Sequence, residues 1–453
     1  MIIMKFGGTS VRNREAIERI ISIVRGRLDS RPMVVVSALA KVTRQLCSIA
    51  ESAQARRRDD AEEQLEALRE RHVALASELL EGHDTLKSEC LDAVSAICSD
   101  LSDFVDGVCR IGELSPRSYA KIVSSGELLS SMIVAAAMNA SGISCRWADA
   151  REMIVTDCSY MSAAPDMEMT EANIRRLYPV ASKGVSVVLT QGFIASSTEG
   201  FPSVLGFEGS DYSAAIFGMA LNASRVEIWT DVDGIRTADP RIVPNTYRVE
   251  KVSYSEASEM ASLGARVLHP LTIEPARRRN IPVVVLNSAA PDSPGSEVTY
   301  GEVARGAKSI AVKEDMDFMQ VSSDRPVGAS ALLQAIAGEL GSRGLKTGPM
   351  SVSDSCVSVV VDSGLPGLES AAQSLRRQYE VKVFKDKALL SVVGNGAVLS
   401  EDVMKAVLEC HGDIYMAAAS PSFLSVSIVV DKSVVRSAAI AMHSAIFRQM
   451  TFA

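Results

Sequence analysis

The chain has 453 residues, with 47 Lys and Arg against 55 Asp and Glu and a net charge of −8. That length holds two or three domains of roughly 100 to 200 residues, and the acidic balance excludes a nucleic-acid partner that needs a concentrated basic face. Eight cysteines without a C-x-x-C pair, no run of ~18 to 20 apolar residues and no signal-peptide n-region before the first strand pattern together set the expectation of a cytoplasmic protein with no membrane contact.

The first elements carry the densest local signal. An apolar run ends in Lys5-Phe6-Gly7-Gly8-Thr9-Ser10, and a helix pattern begins near Asn13. A strand that delivers Lys5 to its carboxyl end, followed by glycines that admit backbone N–H groups to an anion, makes a phosphate-binding turn. The alternative is an ordinary strand-to-helix connection, and the Walker A spacing is absent. Further strands are expected at Pro32 to Ser37, Val185 to Gly192, Val226 to Trp229 and Pro282 to Asn287, with helices between them. This alternation predicts an α/β fold, a parallel sheet covered by helices on both faces. From about Ala50 to Gly107 the pattern turns helical, with Leu65, Leu68, Leu75 and Leu79 at helical spacing. It reads as an insertion without chemistry of its own.

Ser124-Ser125-Gly126-Glu127 stands before an apolar helix expected from Leu128 to Asn139. Glu127 is either a first-turn cap or a carboxylate that holds a cationic group such as an α-ammonium. Leu205 to Ser213 contains two glycines, Ser210 and Asp211 at another helix start, where the polar pair caps the helix or meets an anion. Trp229 to Arg241 packs carboxylates, threonines and arginines into thirteen residues, which suits a nucleotide with its magnesium. In Leu263 to Pro270, Arg266 is the candidate phosphate clamp and His269 a structural residue.

After Arg305 the character changes, and an internal repeat follows. Ser353 to Asp362 and Ser420 to Asp431 are similar β-branched runs, each followed by an amphipathic helix, Leu368 to Gln378 and Val434 to Ile446. Two βαββαβ modules of ferredoxin-like type fit this pattern.

Taken in order, the segments resemble the aspartokinase family over nearly the whole chain. The matching pieces are Lys-Phe-Gly-Gly-Thr-Ser at 5 to 10, Val-Val-Ser-Ala at 35 to 38, Ser-x-Gly-Glu at 124 to 127, Gly-Ser-Asp-Tyr at 209 to 212, Trp-Thr-Asp-Val-Asp-Gly at 229 to 234, Ala-Asp-Pro-Arg at 238 to 241 and Val-Leu-His-Pro at 267 to 270. The resemblance implies a three-layer amino-acid-kinase domain over 1–305 with a helical insertion about 50–110, then ACT modules over 316–387 and 388–453. It implies ATP and Mg²⁺ as cofactors, L-aspartate as substrate, an amino-acid effector at the ACT modules and a homodimer or tetramer. Lys5, Asp211 and Arg266 match the catalytic positions, and Ser37, Thr43, Glu127 and Ser210 the substrate positions. Lys5, Gly7, Gly8, Thr230, Asp231, Arg236, Arg241 and Arg266 fall at ATP positions, and Ser353 and Asp354 are the effector candidates. No metal ligand is assigned directly.

Three departures stand out. The family commonly has Leu-Gly-Arg-Gly-Gly-Ser-Asp, its arginine gripping the substrate α-carboxylate; here Phe207 takes that place, with Glu208 beside it. Another cation, such as Arg44 or Arg151, then takes over, or affinity for aspartate falls. The lysine often found before Val-Leu-His-Pro is Arg266, and the effector-binding Asn-x-Ser-Val-Asp appears as Gly344 to Gly348. The alternatives are a regulator that has lost turnover and a kinase for another acidic amino acid.

Overall fold

The computed structural model describes residues 1–448 apart from Phe207, Arg266, Val267, His269, Glu302, Pro326 and His411. The chain forms two compact units, Met1–Gly234 with Leu271–Tyr300, and Ile235–Pro270 with Gly301–Ala453. The sequence places 1–305 in one domain, whereas Ile235–Pro270 groups here with Gly301–Ala453.

The first unit begins with β1 (Ile2–Phe6), α1 (Arg14–Arg25) and β2 (Pro32–Val36). Four helices follow: α2 (Val42–Gln54), α3 (Arg58–Leu79), α4 (Asp84–Ile111) and α5 (Pro116–Ala140). Next come β3 (Cys145–Trp147), α6 (Ala150–Met153), β4 (Val155–Thr156), α7 (Met167–Ala181) and β5 (Val187–Gln191). A short sheet is completed by β6 (Ile194–Ser197) and β7 (Pro202–Val204), before α8 (Gly209–Ala220) and β8 (Arg225–Thr230). The unit closes with α9 (Pro270–Arg278), β9 (Val283–Asn287) and β10 (Ser296–Thr299).

Within this unit the main sheet runs β3-β5-β2-β1-β8-β9-β10, parallel except for the antiparallel pair β9 and β10. Every residue of β1, β2 and β5 is buried. Strands covered on both faces read as continuous apolar runs, so the sequence located them closely. The ends of β1, β2 and β8 fall side by side, because Phe6 pairs with both Val36 and Trp229.

α5 is long and apolar enough to cross a membrane by length and composition, contrary to the expectation that no such segment exists, but 83% of its apolar window is buried within the protein. It is a core helix. Its start lies at Pro116, capped by Ser115, whose hydroxyl accepts the Ser118 N–H at 3.1 Å. Glu127 therefore sits in the helix interior, and the first-turn capping role is overturned.

The second unit holds β11 (Ser309–Ser322), α10 (Ala329–Gly341), β12 (Thr347–Val352), β13 (Cys356–Asp362), α11 (Leu368–Leu375), β14 (Glu380–Val393), α12 (Glu401–Leu408), β15 (Met416–Ala419), β16 (Ser425–Asp431) and α13 (Val435–Ile446). They form a six-stranded antiparallel sheet, β12-β13-β11-β14-β16-β15. Both long strands are shared. The second half of β11 and the first half of β14 pair as Met316 to Ser322 against Lys387 to Glu380, and complete one ferredoxin-like set with β12 and β13. The first half of β11, Ser309 to Lys313, pairs with Val393 to Leu389 and serves as the fourth strand of the set formed with β15 and β16. The two repeated runs of the sequence thus occupy equivalent strands, β13 and β16. Met319, Val321, Leu332 and Val359 centre one core, and Ile310, Leu390, Ile428 and Met442 the other.

One buried carboxylate secures β8 beside β1. Glu227, 1% exposed, accepts hydrogen bonds from Arg225 Nε (2.8 Å), Trp229 Nε1 (3.0 Å) and Arg27 Nε (3.5 Å). The held indole stacks on Phe6 with ring centroids 5.9 Å apart. Removing the carboxylate strands a buried indole N–H, so Glu227→Ala is expected to lower unfolding free energy by roughly 2–3 kcal/mol and Glu227→Gln by less, as read by urea denaturation.

Candidate functional site

The site is built where β1, β2 and β8 end. Lys5 emerges near the end of β1 and is nine-tenths buried. Its ammonium pairs with the Asp211 carboxylate in the first turn of α8. A side chain at position 7 would bring its Cβ to 3.5 Å from Lys5 Nζ, so Gly7 leaves the ammonium uncovered. The Gly7 N–H itself donates to the Trp229 carbonyl (3.3 Å), and Gly8 lines the neighbouring cavity. A Cβ on Gly8 would lie 2.9 Å from the Ala38 carbonyl oxygen, and only glycine permits that approach.

The loop after Ser10 is tied across the strand ends. Ser10 Oγ donates to Ser288 Oγ (3.0 Å), and Ser288 Oγ donates to the Thr230 carbonyl (3.1 Å). Thr230 Oγ1 donates to Asp231 Oδ1 at 3.2 Å, so this pair stands at the end of β8, one strand from Lys5.

Beside this lies a cavity of about 320 Å³, lined by Gly8, Ser37, Thr43, Glu127 and Ser210, with Lys41, Phe193 and Glu208 on its wall. Glu127 is 2% exposed. Its Oε1 accepts the Ala38 N–H at 3.2 Å, and among the described residues its Oε2 has no partner. Burial pushes this carboxyl up to about 8, against the smaller opposing pull of the Ala38 N–H. Ser130, three residues along α5, donates to the Ser37 carbonyl at 2.8 Å and fixes the end of β2. Ser131 accepts both Trp147 Nε1 and Gln191 Nε2, each at 2.9 Å. A polar triplet at i, i+3 and i+4 in an apolar helix was the signal for these two serines.

The far wall is equally close. A Cβ on Gly192 would meet Ser210 Cβ at 2.6 Å, so the end of β5 abuts the start of α8. Lys41, Phe193 and Glu208 all adopt left-handed backbone, with φ of 72°, 69° and 55°. Three such residues on one cavity are stored strain, which concentrates at functional sites. The helical insertion also reaches here: Arg71 of α3 donates to the Ala40 carbonyl at 3.0 Å.

The remaining sequence candidates are not among the described residues that line this cavity. Arg236 belongs to the second unit and donates to Thr246 Oγ1 and O, both at 2.7 Å. Arg241, in the same unit, forms a two-pronged pair with Asp239. Ser353 and Asp354 are exposed in the turn between β12 and β13, where Ser353 N–H donates to the Cys356 carbonyl. Of the two proposed replacement cations, Arg151 grips Asp149 with Nε at 3.0 Å and Nη2 at 2.6 Å, and Arg44 is exposed and does not line the cavity. Phe207, Arg266 and His269 lie outside the described residues.

Glu127 ties stability to pH with a definite sign. Its pKa is higher in the folded chain, so its favourable contribution is full below about pH 4.5 and is lost as pH rises through about 8. Glu127→Gln is expected to flatten that part of the pH dependence and to be more stable at pH 8 by about 2–4 kcal/mol, measured by urea denaturation at pH 5 and pH 8 without substrate.

The chain matches the model of the amino acid kinase family over residues 1–287. It is 31% identical over 404 residues to the lysine-sensitive aspartokinase 3 of Escherichia coli, covering 87% of each chain, and 28% identical to the chloroplastic aspartokinase 2 of Arabidopsis thaliana, covering 98% of this chain and 84% of that one. Among solved structures it superposes on Escherichia coli aspartokinase III in complex with aspartate and ADP with a TM-score of 0.84, at 29% identity and covering 99% of this chain and all of that one. The same enzyme in complex with lysine and aspartate gives 0.80 at 28% identity, covering 99% of both chains. A glycine turn beside a paired lysine, a buried carboxylate with one unpartnered oxygen and these likenesses agree, and the chain belongs to the amino acid kinase family as an aspartokinase.

Proposed function

We infer that the cavity beside Lys5 is where this aspartokinase brings L-aspartate to the γ-phosphate of ATP. The reaction moves that phosphoryl group to the β-carboxylate of aspartate, giving 4-phospho-L-aspartate at the entry to lysine, threonine, methionine and diaminopimelate synthesis. The observation that carries the placement is Glu127, buried on the cavity wall with an unpartnered Oε2. An α-ammonium satisfies that oxygen and favours its ionised form.

The acceptor is a carboxylate, already ionised at neutral pH, so no general base is required. Its oxygen attacks the γ-phosphorus as the bond to the departing ADP oxygen breaks, and the protein supplies position and charge. Lys5 neutralises charge on the phosphoryl oxygens, and Asp211 holds its ammonium in place. Ser210 and Thr43 meet the acceptor carboxylate, and Gly8 admits the phosphates close to the backbone. Thr230 and Asp231, at the end of β8, face the nucleotide.

Among the described residues no three His, Cys, Asp or Glu side chains gather into a metal cage. Where Mg²⁺ accompanies the nucleotide, Asp231 would be the protein carboxylate that holds it. The ion neutralises phosphate charge when bound. Pairing of the second unit between subunits would give a homodimer or tetramer in the cytoplasm. An amino-acid effector would sit on that unit, although Gly348 offers no side chain to its ammonium.

Formation of aspartyl hydroxamate from ATP, Mg²⁺, aspartate and hydroxylamine tests the reaction, and a purified enzyme that forms none contradicts it. Lys5→Ala is expected to lower kcat by about 10²- to 10³-fold while ATP binding stays measurable by calorimetry, because the charge matters most in the transition state. A change confined to KM would remove Lys5 from that role.

A further inference from the structure

An aspartate bound by its ammonium and its reacting carboxylate has a third charged group, the α-carboxylate, and the residues singled out from the sequence leave it unmatched. Arg151 is engaged by Asp149, and Arg44 does not line the cavity. Among the described lining residues the carboxylates are Glu127 and Glu208, and the base is Lys41.

Lys41 has three properties that a carboxylate ligand needs. It lies on the cavity wall, and among the described residues no ion pair or hydrogen bond engages its ammonium. It stands at the N-cap of the 13-residue α2, whose first turn receives no side-chain cap, so the positive end of the helix dipole lies beside the same charge. Its backbone is held in a conformation that L-residues avoid, with φ of 72°. The Arg71 bond to the Ala40 carbonyl anchors the adjoining residue, and the Val42 N–H donates to the Leu39 carbonyl at 2.9 Å. Glycine would adopt this φ without strain, so a lysine kept here carries its side chain at the expense of the backbone.

We propose that Lys41, with the first turn of α2, binds the α-carboxylate of the substrate and so selects an α-amino acid with a free α-carboxyl group. The assignment rests on the placing of aspartate in this cavity. Glu127 and Lys41 then read the two ends of the amino-acid moiety, while Lys5 attends to the phosphoryl group.

Lys41→Gly separates the side chain from the fold, because it suits the observed φ. Steady-state kinetics are measured for L-aspartate and for its α-carboxamide, which lacks the α-carboxylate but keeps the β-carboxylate free to accept the phosphoryl group. The wild type is expected to prefer aspartate over the α-carboxamide by about 10- to 100-fold in kcat/KM, the worth of one charge-assisted hydrogen bond. Lys41→Gly is expected to raise KM for aspartate by a similar factor, to hold KM for ATP within about twofold and to erase the preference, while Lys41→Arg retains most of it. A Lys41→Gly enzyme with an unchanged KM and an unchanged preference overturns the proposal. Failure of the underlying reading looks different, since the wild type would then phosphorylate neither acceptor.

Discussion

A carboxylate removed from water in the middle of a packed helix sets the terms for the substrate half of this protein. Glu127 has one oxygen on the Ala38 N–H and the other without a partner among the described residues, and its burial disfavours the charged form. Such a group costs stability unless it stays protonated or meets a cation. Under the placement of aspartate proposed above, that same atom is the one a substrate ammonium satisfies. In that proposal binding exchanges a proton for an ammonium, and an acceptor without an amino group has nothing to offer the oxygen.

The supports of Glu127 explain why so much of the first unit converges here. α5 must be long and apolar to pack between the strands and the added helices, yet it carries Glu127, Ser130 and Ser131 along one side. Ser130 ties the end of β2, and Ser131 ties Trp147 and Gln191. On the phosphate side, the order of the parallel strands brings Lys5 and Trp229 onto adjacent ends, and the Glu227 network holds the indole under Phe6. Glycines at 8 and 192 allow backbones to approach where any Cβ would collide.

Much of this was legible in the sequence because buried parallel strands announce themselves as unbroken apolar runs, and β1, β2, β5, β8 and β9 begin and end within two residues of expectation. The Lys5 turn was legible for the same reason, being the sharp end of such a run. What local patterns missed depended on long-range packing. Ser124 to Glu127 look like a helix start when read with the apolar stretch that follows, but Pro116 and Ser115 are the true start, and the helix runs through the polar residues. The shared strands β11 and β14 were invisible as such, since a periodicity of two reports a strand and not which half pairs with which neighbour. Arg71 lay in the helical segment read as without chemistry of its own, and only the tertiary fold brings its guanidinium to Ala40.

Lys41 shows how strain can be more informative than charge. On composition, Arg44 and Arg151 are stronger cations for a carboxylate, because a guanidinium offers a planar fork. Geometry reverses the ranking. Arg151 already makes its fork to Asp149, two residues away on the same turn, and that bond would have to break before it met a substrate. Lys41 has no such commitment among the described residues, and its backbone angle cannot be credited to packing alone, because glycine would satisfy the same turn at no steric cost. With Glu208 and Phe193 also in left-handed backbone on this cavity, the wall is built from side chains that the turns themselves would not select. The proposed occupant, with an ammonium and a carboxylate at opposite ends, supplies a physical requirement for them.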